Sequence, residues 1–155
     1  MLAASFAATI KRTLFSQEEI ARTIESLATR IAADYARKPL LLLGVLKGAL
    51  YVTVDLARAI SRVPDGPSSV GIDYLVVSSY GNSSRSSGEV RMLKDTHQRI
   101  AGKNVLVVED IVDNGLTLSY LQSMLRDREP ESLRSCVLLD KPYRRLVPVD
   151  VKYIG

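Results

Sequence analysis

Glu109 and Asp110 directly follow the apolar run Val105, Leu106, Val107 and Val108. A short apolar run ending in two acids reads as a buried strand whose carboxyl end carries paired carboxylates, and open parallel sheets bind ligands at that end. Neighbouring strand residues point to opposite faces, so both acids reach one crevice only where the strand is already opening into its loop. Residues 110–116 then lead to Thr117 at the start of a helix, where free N–H groups and the positive end of the dipole favour an anion. Gly115 lets the backbone approach a ligand closely, and Thr117 adds a hydroxyl donor. Together these residues describe a phosphate cradle beside two acids, suited to a ligand with a phosphate, sugar hydroxyls and a divalent cation. The dinucleotide pattern G-x-G-x-x-G and the triphosphate pattern G-x-x-x-x-G-K-[ST] are both missing. Receiver-like and hydrolase folds also end strands in two acids, so the residues alone leave those readings open.

The surrounding chain alternates strand and helix. Ser16 and Glu19 have the spacing of a capping box, and Ile20, Ile24, Leu27 and Ile31 mark one buried helical face, predicting a helix that ends near Lys38 and Pro39. Residues 40–46 form a short continuous apolar run, as in a strand covered on both faces. Leu50, Val54, Ala57 and Ile60 again repeat at helical spacing. After a turn at 63–67, residues 70–79 read as a strand, and 90–93 as a short returning one. Between them, 81–88 hold no apolar residue and read as an exposed loop, with 80–89 forming the tip of a long hairpin. The strand at 104–109 precedes the acidic loop, and Leu118, Leu121 and Leu125 give the following helix its buried side. Strands at 133–139 and from 149 to 154 complete the pattern. The alternation predicts an α/β fold, a mostly parallel sheet with helices on both faces, in one domain spanning 1–155.

Composition narrows the function without choosing it. The 155 residues are 46% hydrophobic, enough for one core. The formal net charge of +4 suits a phosphorylated small molecule, and with no basic stripe it gives nucleic-acid binding little support. The longest apolar run falls far short of the roughly 18 residues that a membrane helix needs. Cys136 lies in the apolar run of a strand and, as the single cysteine, forms no internal disulfide, which fits a reducing, intracellular compartment. The basic, acid-free segment 1–15 reads as a variable extension more readily than as a targeting signal. His97 and the Arg144–Arg145 pair read as surface residues. The chain reaches Gly155 within an apparent strand, which predicts that the natural protein continues.

Residues 107–117, VVEDIVDNGLT, closely resemble the phosphoribosyl-diphosphate motif of type I phosphoribosyltransferases. GVLKGA at 44–49 resembles the diphosphate loop of the hypoxanthine-guanine branch, SSYG at 78–81 the start of its flexible active-site loop, and LLDK at 138–141 the strand end bearing its purine-contacting lysine. The four matches fall in the family's order, and the Leu116–Thr117–Leu118 wording is similar to kinetoplastid enzymes.

The resemblance implies purine salvage, in which hypoxanthine or guanine displaces diphosphate from 5-phosphoribosyl 1-diphosphate with Mg²⁺ to give IMP or GMP. It implies a hood over the base, built from the N-terminal region and from residues after about 141. Glu109 and Asp110 would hold the ribose hydroxyls and the metal. Asp113, which could also serve as a helix N-cap, would take the proton from purine N7. Asn114, Gly115, Leu116 and Thr117 would bind the 5′-phosphate. Lys47 and Gly48, through an unusual peptide, would meet the diphosphate together with Ser79 and Tyr80, and Lys141 would donate to the oxygen at purine C6. The loop at 81–88 would close over the reacting sugar. The family implies a homodimer or homotetramer in the cytoplasm, or alternatively in a peroxisome-like organelle. Leu116 and Asn114 depart from residues frequent in the family, lysine and threonine. The family segment that would follow Gly155 supplies a base-stacking aromatic residue and a further acid for magnesium. A regulator on the same fold that senses nucleotides or binds RNA, without catalysis, is the alternative.

Overall fold

The computed structural model describes residues 12–79 and 90–155. Strand β1 (Pro39–Leu46) carries six consecutive buried residues, and a run apolar on both sides is stable only between two layers. Around it lie β2 (Ser69–Ser79), β3 (Val90–Lys94), β4 (Asn104–Val112), β5 (Ser132–Asp140) and β6 (Tyr153–Ile154). The sheet order is β3-β2-β1-β4-β5-β6. All neighbouring pairs are parallel except the antiparallel β2–β3 edge pair; the hairpin tip expected at 80–89 lies outside the described residues.

Helices α1 (Gln17–Asp34) and α2 (Leu50–Ser61) cover one face. Their Leu27, Ile31, Leu56 and Ile60 pack on Leu40, Leu42, Leu106 and Val108. Helix α3 (Leu116–Arg126) covers the other, with Leu118, Leu121 and Leu125 against Leu41, Leu43, Val105 and Val107. The strict alternation of β1 and β4 between the two clusters is the period-two geometry of a strand. The α/β fold with helices on both faces is therefore as the sequence predicts, and Cys136 is buried in β5.

The capping box forms: Glu19 N donates to Ser16 Oγ at 3.2 Å and Ser16 N to Glu19 Oε2 at 2.6 Å. Three expectations shift. Helix α1 stops at Asp34 rather than near 38, because Arg37 turns to φ 60 and donates its N–H to Gly66 O at 2.8 Å. Ile20 and Leu50 remain exposed, since the buried faces begin at Ile24 and Val52. Only 153–154 of the strand expected from 149 joins the sheet. Val149 and Val151 pack toward α3 instead, and the Asp150 carbonyl accepts from the buried Gln122 amide at 2.6 Å.

The β3–β4 connection is tied down by carboxylates. Asp73 accepts from Thr96 Oγ1 at 2.6 Å and His97 N at 2.9 Å, and Arg128 grips Asp95 with two hydrogen bonds of 2.9 and 2.7 Å. Burial raises the Asp73 pKa, but the bonds from Thr96, Tyr74 and His97 and the Lys94 charge outweigh it and hold the carboxyl at about 2. A folded-state pKa below the ordinary 3.8 gives stability that is full above about pH 4 and lost as pH falls toward 2. Asp73→Asn should therefore lower the melting temperature at pH 6, and the deficit against wild type should shrink between pH 4 and 2 in thermal scans.

Candidate active site

Parallel pairing sends the carboxyl ends of β1, β2, β4 and β5 to one edge, and the strand order reverses at β1–β4, where such sheets open a crevice. At that edge lie Lys47 and Gly48 after β1, Ser79 at the end of β2, Glu109 and Asp110 in β4, and Lys141 after β5. Ser79 is placed by its backbone alone, and Tyr80 is outside the described residues.

The β1 loop sits on Asp110. The Leu46–Lys47 peptide is cis, and Ala49 N and Leu50 N donate to Val45 O and Lys47 O at 3.1 and 3.2 Å, folding Lys47 and Gly48 into a tight turn. A Cβ on Gly48 would lie 2.6 Å from Asp110 Cγ, so only glycine allows this approach. Lys47 remains exposed.

Glu109 and Asp110 are both still inside the strand. The ladder to β5 runs through Glu109–Val137 as far as Val112–Asp140, so the acids do not share the opened backbone that the sequence suggests. Glu109 continues the α3-side row of Val105 and Val107, while Asp110 continues the α2-side row of Leu106 and Val108. Glu109 is 6% exposed. Burial, and then the charge of Asp110, push its pKa from the ordinary 4.5 up to about 7, with Arg145 acting in the opposite direction.

The turn after β4 is short, comprising Asp113, Asn114 and Gly115. Gly115, not Asp113, is the N-cap of α3; its φ of 87 lies in the left-handed region that glycine adopts freely. Asn114 Oδ1 accepts from Leu116 N at 3.0 Å, so that amide is already satisfied. The N–H groups of Asn114, Gly115, Thr117 and Leu118 donate to no described residue, and four free donors at a helix start form an anion cradle. Thr117 occupies the second helical position, its hydroxyl without a described protein partner.

Of the Arg144–Arg145 pair, Arg144 is exposed as expected but Arg145 is not a solvated loop end. Arg145, 17% exposed in its side chain, donates to Asp113 O at 2.8 Å and pairs with the Asp140 carboxylate. Arg144 Nε lies 2.8 Å from Asp113 Oδ1, a buried oxygen that receives no well-directed hydrogen bond. Paired charges usually lie in solvent, and Asp113, the acceptor that both arginines share, comes from the end of another strand, so no local pattern signals it. Lys141 N donates to Val112 O at 2.9 Å, which fixes the lysine beside the crevice. His97 is exposed, as expected.

Among the described residues no three His, Cys, Asp or Glu side chains converge as metal ligands. Glu109 and Asp110 lie on opposite faces of β4, so a cation such as Mg²⁺, which needs as few as one protein carboxylate and completes its shell with water and substrate oxygens, would fit at either one. No helix among the described residues is long and apolar enough to cross a membrane.

The phosphoribosyl transferase domain profile matches residues 12–155, and the chain belongs to that family. A hypoxanthine-guanine phosphoribosyltransferase of Streptococcus agalactiae is 42% identical over 94% of this chain and 77% of its own. The crystal structure of one from Bacillus anthracis superposes with a TM-score of 0.83 at 40% identity, covering 94% and 81% of the two chains. A hypoxanthine phosphoribosyl transferase structure from Trypanosoma cruzi, concerned with how its C-terminal region affects oligomeric state and activity, gives 0.84 at 46% identity over 93% and 76%. The fold is that of type I phosphoribosyltransferases.

Because Glu109 binds a proton more tightly when folded, stability falls as pH rises from 4.5 through about 7. That difference corresponds to a folded-state cost of up to about 3 kcal/mol at pH 8. Glu109→Gln should therefore raise the unfolding free energy at pH 8 by about 1–3 kcal/mol and change it little at pH 5, as measured by urea denaturation at the two pH values.

Proposed function

We propose that the chain transfers the 5-phosphoribosyl group of 5-phosphoribosyl 1-diphosphate to hypoxanthine or guanine, giving IMP or GMP and diphosphate. The observation that carries this reading is the row of four free amides at the start of α3, set against Glu109, Asp110 and Asp113 at one sheet edge. The names of the curated relatives support it.

The roles follow from placement. The amides of Asn114, Gly115 and Thr117, with the Thr117 hydroxyl, hold the 5′-phosphate, while Leu116 contributes shape because its amide is spent on Asn114. The backbone of Lys47 and Gly48 receives the diphosphate, with Ser79 and Tyr80 as further contacts. Glu109 and Asp110 hold the ribose hydroxyls and would hold Mg²⁺, which when bound supplies charge to the departing diphosphate. The C1′–O bond to diphosphate breaks as purine N9 bonds to C1′, positive charge builds on the ribosyl, and the two carboxylates stabilise it. Asp113 takes the N7 proton that the base loses. Lys141 donates to the oxygen at C6, which favours 6-oxopurines over adenine, whose amino group there is a donor. The retained Asp113 and Lys141 support an enzyme over a regulator. We assign an intracellular, cytoplasmic setting, which the free thiol of Cys136 suits, and a homodimer or homotetramer, for which the support is the family resemblance.

The test is product formation from 5-phosphoribosyl 1-diphosphate and Mg²⁺ with each purine offered separately: 6-oxopurines should turn over and adenine should not. Equal turnover of adenine would remove Lys141 from its role, and silence with every base would defeat the reading. Asp113→Asn should leave donor binding intact and lower kcat by about 10²–10⁴-fold, the usual loss with a general base. Thr117→Ala should weaken donor binding roughly tenfold, the worth of one hydrogen bond to a charged group.

A further inference from the structure

We propose that Arg145 is a positioning residue that locks the phosphate cradle to the purine-side strand end, so that the turn is held in shape for the phosphoribosyl donor. The inference rests on the transferase reading.

Arg145 touches both halves of the site at once. One guanidinium nitrogen donates to the carbonyl of Asp113, the first residue of the cradle turn, and the other pairs with the carboxylate of Asp140, the last residue of β5 before Lys141. A planar fork with donors on two nitrogens can span both acceptors; a lysine ammonium, a single point, cannot. The stem packs as closely as the head binds. A Cβ on Gly115 would lie 2.9 Å from Arg145 Cδ and 2.9 Å from Val147 O, so the chain around Arg145 rests on the glycine that caps α3. Leu146 N adds a bond to Asn114 O at 2.9 Å, on the residue between these two. Asp113, Asn114 and Gly115 are thus each contacted by residues 145–147.

This arrangement explains how so short a turn holds its amides outward. From within, the three residues are fixed by one side-chain bond, Asn114 Oδ1 to Leu116 N, and Gly115 itself offers no cap. The carbonyl of Asp113 points at Arg145, and that of Asn114 at Leu146, so the peptide planes that carry the Asn114 and Gly115 N–H groups are fixed from their carbonyl side. The donors then face the ligand before it arrives, and a preorganised site binds tighter because less freedom is lost on binding. Asp140 sets the fork in place, so it acts on the donor only through Arg145.

The experiment compares the full chain with Arg145→Met, which keeps the stem, Arg145→Lys, Asp140→Asn and the Arg145→Met/Asp140→Asn double variant. Melting temperature, calorimetric donor affinity with Mg²⁺, and KM for donor and for hypoxanthine are read for each. Arg145→Met should weaken donor affinity at least tenfold while the hypoxanthine KM moves less than threefold. Arg145→Lys should recover less than half of that loss on a logarithmic scale. The double variant should match Arg145→Met within twofold. Lower melting temperatures with unchanged donor affinity would overturn the proposal and leave a brace for stability only. Additive losses in the double variant would overturn the Asp140 route. If wild type neither binds donor nor turns over, the transferase reading fails and this inference with it; normal wild-type activity beside an unaffected Arg145→Met overturns this inference alone.

Discussion

A parallel strand can end at only one edge of its sheet, and in this molecule that constraint gathers the chemistry. The buried strands run in one direction because the chain is carried back each time, by α1 into β1, by α2 into β2, by the antiparallel β3 into β4 and by α3 into β5. The turn after β1, the end of β2, the cradle after β4 and the lysine after β5 therefore meet without any of them being near in sequence. Burial of β1 and β4 on both faces fixes their register, so the depth at which each loop emerges is not adjustable. The site is a product of core packing before it is a product of its own residues.

The edge also concentrates negative charge. Glu109 and Asp110 project toward opposite sides of β4, yet the charge of Asp110 still disfavours ionisation of Glu109, which is sealed in by its neighbours. Two arginines and the free amides of α3 stand against them. A phosphorylated ligand and a cation bring both signs of charge to such an edge, and the balance shifts as each part binds. Folding stability and ligand binding are set against one another here, a common condition of sites that hold unlike charges in a partly dry place.

Much of this was legible in the residues. The continuous apolar runs at 40–46 and 105–108 marked central strands, Ser16 and Glu19 marked the start of a helix, and VVEDIVDNGLT marked the cradle. The misreadings share a cause. Ile20 lies one turn before the packed face, and Leu50, between the buried Ala49 and Val52, points away from it. Residues 149–152 alternate like a strand, but the sheet's next carbonyl is diverted to Gln122. Arg145 looks solvated because its carbonyl partner Asp113 is 32 residues away and no local pattern shows that the chain turns back to Asp140. Asp113 looks like a helix cap because aspartate favours that place, and only the φ of Gly115 moves the cap two residues on. Local pattern finds elements and motifs; it does not find which long side chain will reach across them.

Cys136 sits in β5 beneath α1 and α2, its thiol held protonated by a pKa that burial pushes up to about 12. At neutral pH almost no thiolate exists in the folded state, and no reagent reaches the sulfur without parting helices from the sheet. The rate at which a thiol-blocking reagent labels the protein therefore becomes a clock for opening of the core. Since the chain has one cysteine, the clock reads a single place, within the strand whose end presents Asp140 and Lys141. Ligands that tighten that edge would slow the labelling without touching the sulfur.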